Sequence, residues 1–133
     1  MFFDTNILIY AMLQPDPRSD PARDLLAQGG SISVQVAGEF ANVAYRKLRK
    51  SWVEIEQALA VSRVLCPSPQ ALSTETHDAA VAIADRTGYA FHDALIIASA
   101  LESGCTVLFS EDMQNGQVID GVLRVVNPLR EEE

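Results

Sequence analysis

Met1-Phe2-Phe3-Asp4-Thr5-Asn6-Ile7-Leu8-Ile9-Tyr10 opens the chain, and its reading sets the architecture. The apolar start predicts a very short strand, Met1–Asp4. A helical pattern, Thr5–Leu13, follows at once. Pro15 and Pro17 end it, because proline has no amide hydrogen to donate and its ring clashes with the preceding turn. An acid therefore stands where a strand passes into a helix. Asp4 reads as an N-cap, its carboxylate accepting from a free first-turn amide, or as a group held at a strand end for chemistry.

The alternation continues outward from this stretch. Ser19-Asp20-Pro21 predicts a helix start, with Asp20 as N-cap and Pro21 at the first helical position. Gly29-Gly30 stops that helix. Ser31–Val34 is a second short strand, and a helix follows from about Gln35 to Lys50. Ser51 caps another helix reaching about Leu65, before the Pro67–Pro69 break. Ser73 or Thr74 opens a helix that ends before Gly88. Phe91–Ser103 is the next, closed by Gly104. Thr106–Phe109 is a β-branched and aromatic strand. Leu123–Val126 is the last strand, ended by Asn127-Pro128. Short buried strands alternating with helices predict an α/β fold with a central, mainly parallel sheet flanked by helices. A length of 133 residues fits one domain, 1–133. In such sheets ligands bind at the carboxyl ends of the strands.

Hydrophobic residues make up 48% of the chain, which excludes a disordered protein. No apolar run approaches the roughly 20 residues that span a bilayer. The opening has no basic segment before its apolar residues, so neither a signal peptide nor a membrane anchor is expected. Cys66 and Cys105 lie far apart beside apolar residues and read as reduced, partly buried thiols. A cytoplasmic location follows. The net charge of −8 argues against a non-specific nucleic-acid binder. Part of that excess is the tail Glu131-Glu132-Glu133, read as a solvated end. The basic cluster Arg46, Lys47, Arg49 and Lys50 reads as a solvated helix end that suits the dipole, or as a patch for phosphates or a partner.

Four acids stand out. Asp4 and Asp112 follow strands, and either alone could be a cap or turn residue. Glu39 shares the helix face of Val36 and Val43, and Asp93 begins the stripe Ile96, Ile97, Ala100 and Leu101. Charges on core faces are costly unless paired or bound to a metal, and neither helix offers a basic partner on that face. Acids converging at the mouth of a sheet repel unless a cation neutralises them. Hard oxygen donors favour Mg²⁺ or Mn²⁺. No Cys/His set has zinc spacing. His92, adjacent to Asp93 on a helix, reads as a packing or surface histidine. Such a site suits metal-assisted hydrolysis of a phosphodiester, with no side-chain nucleophile required.

Four segments in order resemble the motifs of PIN-domain nucleases. They are Asp4-Thr5-Asn6-Ile7-Leu8-Ile9-Tyr10, Ser33-Val34-Gln35-Val36-Ala37-Gly38-Glu39-Phe40, His92-Asp93-Ala94-Leu95-Ile96-Ile97-Ala98, and Leu108-Phe109-Ser110-Glu111-Asp112-Met113-Gln114-Asn115-Gly116. Small stand-alone members resemble VapC-type toxins, endoribonucleases neutralised by a cognate antitoxin. The resemblance implies a PIN-like three-layer fold, a homodimer, an RNA substrate, an antitoxin partner and a Mg²⁺ or Mn²⁺ site. It implies that Asp4 and Asp93 ligate the metal directly. Glu39 and Asp112 complete the cluster, directly or through water, and Thr5, Asn6 and Ser110 orient ligands or waters. The motif favours Asp112 over its neighbour Glu111. Two alternatives stand beside this reading. One is an inactive PIN-like scaffold, which the presence of all four acids disfavours. The other is a haloacid-dehalogenase-like phosphatase, which would carry a second Asp where this chain has Asn6.

Overall fold

The structure is a computed structural model that describes residues 1–129; the Glu131-Glu132-Glu133 tail lies outside the described residues. Strand β1 (Phe2–Phe3) leads into α1 (Thr5–Met12), then α2 (Ser19–Ala27), α3 (Val34–Arg46), α4 (Trp52–Leu65), α5 (Thr74–Thr87) and α6 (Phe91–Glu102). Strands β2 (Val107–Phe109), β3 (Val118–Ile119) and β4 (Leu123–Val126) close the order. The sheet runs β1-β2-β4-β3, with β1, β2 and β4 parallel and only β3 antiparallel. Among the described residues six helices flank it, the mainly parallel α/β arrangement that the alternation predicts.

Two residues suffice for β1 because both are wholly buried. Successive strand residues face opposite sides, so both faces of the sheet are covered here, as three layers require. Burying a phenylalanine contributes about 2–3 kcal/mol. Phe3 lies opposite Phe109 in the parallel register, and their rings stack at 5.9 Å. That register fixes what comes next in each chain: Asp4 after β1, Ser110 after β2.

Gly30 protects the arrangement from behind. A Cβ there would meet the Phe3 ring at 2.7 Å and the Met1 carbonyl at 2.8 Å. Neither can move without shifting β1. Gly30→Ala is therefore expected to destabilise the protein by about 1–3 kcal/mol, the usual scale for overpacking. Urea unfolding checks this, and a midpoint equal to wild type would contradict the packing argument.

Several sequence expectations are corrected. The second strand shrinks to single bridges, Phe2 with Ser31 and Ser33 with Gln70, because Ser33 caps α3 and Val34 already belongs to the helix. Asp20 is not an N-cap. Ser19 accepts from the Asp16 amide and donates to the Gln14 carbonyl. The chain therefore turns helical one residue early, with Arg18 at the cap position. Helix α3 ends at Arg46 rather than Lys50, since Arg49 takes a left-handed φ of 55°. Strand β3 is absent from the sequence reading. Tyr10 is half-buried and packs against the core, and Trp52 is exposed, stacked on Tyr45 at 4.5 Å. Cys66 and Cys105 are buried free thiols, as expected.

Candidate metal centre

The carboxyl ends of β1 and β2 carry the floor of the site. The Asp4 amide donates to the Phe109 carbonyl at 2.9 Å, and the Ser110 amide donates to the Val126 carbonyl at 3.0 Å. With the backbones so held, the Ser110 hydroxyl donates to Asp4 Oδ2 at 2.7 Å. Asp4 Oδ1 accepts from the Thr5 amide at 2.7 Å, so Asp4 is also the N-cap of α1. The cap role and the strand-end placement thus coincide in one residue.

The first turn of α1 reaches two further acids. Thr5 Oγ1 donates to Glu39 Oε2, and Asn6 Nδ2 donates to Asp112 Oδ2, each at 2.8 Å. The Asp112 amide donates to Ser110 Oγ at 3.2 Å. Asp93 sits in the first turn of α6, whose N-cap position, Ala90, supplies no side-chain acceptor. The free amides of that turn favour an anion there.

An open pocket of about 330 Å³ is lined by all four acids, together with Thr5 and Asn6. The four acids come from four separate segments of the chain. Among the described residues no lysine or arginine pairs with any of them. Among the described residues the one basic side chain within 4 Å of these carboxylates is His92, whose Nε2 lies 3.3 Å from Asp93 Oδ1. His92 is an exposed histidine, as read, but adjacency on the helix does not separate it from Asp93: at the first turn the two side chains meet.

Burial is the main reason that the Asp4 carboxyl is pushed up to about 6. The hydrogen bonds from Ser110 and Thr5 oppose the shift, and the charges of Asp112 and Glu39 add to it. Asp93 is also raised, first by burial; His92 opposes this, and Asp112 and Glu39 reinforce it. The acids therefore act on one another across the pocket. Among the described residues no three are drawn into a ready-made cage; Asp4, Glu39 and Asp112 each accept a hydrogen bond of their own, and Asp93 has only the His92 contact. The donor chemistry nonetheless fits a hard dication: oxygen only, repelling in the absence of a cation, and open to solvent for substrate.

Two features escaped the sequence reading. Gln35 Nε2 donates to Glu39 Oε1 at 3.2 Å and to the His92 carbonyl at 2.9 Å. It thereby joins the acid-bearing ends of α3 and α6, and its own Oε1 is buried without a partner. The apolar spacing of α3 carries no sign of this role. The second feature separates Glu111 from Asp112. Glu111 turns away from the pocket. It accepts from the Tyr10 hydroxyl at 3.0 Å and from Arg18 at 3.2 Å, while Arg18 also holds Asp16 and covers the Tyr10 ring at 4.2 Å. Tyr10 and Asn6 stand one turn apart on α1 and grip consecutive loop residues. Glu111→Ala is expected to cost about 1–2 kcal/mol of stability, as hydrogen bonds to a charged group are lost. Asp112→Ala, which removes a pocket carboxylate, should cost more activity than stability. Parallel melts and cleavage assays of the two variants check this; a larger loss of activity from Glu111→Ala would reverse their roles.

A mainly parallel α/β sheet with four carboxylates lining one open pocket beside its carboxyl edge defines an α/β domain with an acidic pocket. The chain belongs to the PIN domain family, whose profile matches residues 1–116. Among solved structures it resembles the Mycobacterium tuberculosis toxin VapC20, described as cleaving the Sarcin-Ricin loop. The TM-score is 0.66 and the identity 22%, over 84% of this chain and 90% of that one. A toxin–antitoxin complex from Klebsiella pneumoniae matches with a TM-score of 0.70 at 20% identity, over 96% of each chain. VapBC2 from Rickettsia felis, bound to a promoter DNA fragment, matches at 0.62 and 16%, over 93% of this chain and 95% of that one. These identities establish likeness of fold. A search of curated proteins finds no match.

Proposed function

We propose that the chain is a Mg²⁺- or Mn²⁺-dependent endoribonuclease hydrolysing RNA phosphodiester bonds, and the toxin of a toxin–antitoxin pair. The observation that carries the nuclease reading is the convergence of Asp4, Glu39, Asp93 and Asp112 on one pocket whose lining includes Lys47 but where, among the described residues, no lysine or arginine forms an ion pair with any of the four. Membership of the PIN domain family supports it. Asp4 and Asp93, the two acids raised by burial, are the direct ligands; Glu39 and Asp112 complete the shell. A divalent cation there supplies charge neutralisation for the phosphate and acidifies water for in-line attack. The protein's own groups do the positioning. Ser110 orients Asp4, Thr5 orients Glu39, and Asn6 orients Asp112.

The toxin role is supported by the similar structures, one described as a toxin, one as a toxin–antitoxin complex and one as VapBC2 on promoter DNA. The chain then works as one nuclease domain, homodimeric and cytoplasmic, until a cognate antitoxin binds it. Among the described residues no helix is long and apolar enough to cross a membrane. The test is cleavage of a structured RNA by the purified chain with Mn²⁺, with Mg²⁺ and with EDTA. Cleavage unaffected by EDTA would sink the metal-dependent reading. Expression should arrest growth, and co-expression of a small DNA-binding protein encoded beside the gene should relieve it.

A further inference from the structure

The acid pocket has one cationic wall. Lys47 lines it with Glu39 and Val43. These residues are spaced by four along α3 and its cap, so they form one ridge. At 1.5 Å per residue, Lys47 stands about 12 Å along the axis from Glu39.

The charge distribution isolates this region. Four of the chain's ten lysines and arginines fall between residues 46 and 50. Arg18, Arg23 and Arg86 are each ion-paired with aspartate or glutamate. Among the described residues, Arg46, Lys47, Arg49 and Lys50 form no such pair; Arg63 and Arg124 form none either, but each stands alone in the sequence rather than in a cluster. A helix C-terminus favours cations in its last turn, which accounts for Arg46 and Lys47. It does not account for Arg49, which takes the left-handed conformation itself, or for Lys50 after it. In a protein of net charge −8, Lys47 thus brings an unpaired cation into the lining of the pocket that carries the four acids, with Arg46 and Arg49 as its neighbours along the chain.

We propose that Lys47, with Arg46 and Arg49 beside it, forms a phosphate-binding subsite for the RNA strand, holding a backbone phosphate that flanks the one in the acid pocket. This rests on the nuclease reading above. An ammonium on a flexible stem suits a phosphate as a point charge without reading sequence. The strand leaves the acids along the end of α3, and the contact offsets the repulsion that four carboxylates impose on a polyanion.

The experiment compares wild type, Lys47→Ala, Lys47→Arg and the double variant Arg46→Ala/Arg49→Ala. Cleavage of a single-stranded RNA is followed with Mn²⁺. Binding of the same RNA is measured between 50 and 200 mM salt, with each change also placed in an Asp4→Asn background. Lys47→Ala is expected to raise KM about fivefold or more, with kcat and Mn²⁺ affinity near wild type. The slope of log K against log salt should become shallower by about 0.7, the loss of one single-strand phosphate contact. Lys47→Arg should restore both values. All these side chains are exposed, so the variants fold. KM and salt slope at wild-type values in both alanine variants would overturn the subsite. Weakened binding of an acidic protein partner, with RNA binding intact, would overturn it in favour of that partner. No cleavage by wild type would sink the nuclease reading alone, because the salt slope still decides the subsite.

Discussion

Asp4→Asn is expected to reduce RNA cleavage by more than about 100-fold and, in the same protein, to raise stability. Supporting partners of a metal ligand are themselves worth about 10- to 100-fold, so removing a ligand's charge exceeds that. The stability gain comes from the same burial. Asp4 is 4% exposed, and its carboxyl is pushed up to about 6. At neutral pH the folded protein holds a buried charge that the unfolded chain hydrates freely. A rise of about 2 units corresponds to about 3 kcal/mol. Asparagine keeps the cap acceptor for the Thr5 amide and can donate to Ser110, so a gain of about 1–3 kcal/mol is expected in metal-free buffer. Thermal melts in EDTA at pH 7.5 measure it. Full activity in this variant would place the chemistry elsewhere.

The second large effect joins pH to metal. For an acid whose folded pKa lies above its unfolded value, the folded state binds more protons between the two. Stability therefore falls as pH rises from about 4 to about 6 and stays low above. Asp93 is raised as well and acts in the same direction. Metal-free protein should thus be more stable at pH 4.5 than at pH 7.5, by about 2 kcal/mol from Asp4 alone. A divalent cation reverses the trend, because it binds the ionised carboxylates. At 100 times its Kd it adds about 2.7 kcal/mol, roughly 8 °C or more in Tm for a chain of this size. EDTA should return the low value. A Tm indifferent to Mn²⁺ at pH 7.5 would remove the cation from the pocket.

The helices were legible because their caps are local chemistry. Ser51 with Glu54, and Ser73 with Thr76, close capping boxes within four residues, and Gly88 ends α5 in a left-handed turn. The central strands were legible from β-branched and aromatic runs. Strand β3 was not, because it has two residues, one of them exposed, and exists only through its pairing with β4. The acids were legible at Glu39 and Asp93, because a charge on an apolar helix face needs a reason. The groups that hold them were not. Gln35 meets the His92 carbonyl, 57 residues away, and Arg18 meets Glu111, 93 residues away; no local pattern records either meeting.

The inner and outer parts of the pocket are anchored differently. Asp4 and Ser110 hang from main-chain bonds of adjacent strands, whereas Glu39 and Asp93 are brought together through the amide of Gln35, itself only half-buried. Glu39 is tied to the inner part a second time, through the Thr5 hydroxyl, whereas Asp93, among the described residues, meets only His92 of its own helix. The position of Asp93 is thus inherited from α6 as a rigid rod, and not from the strand ends that seat Asp4.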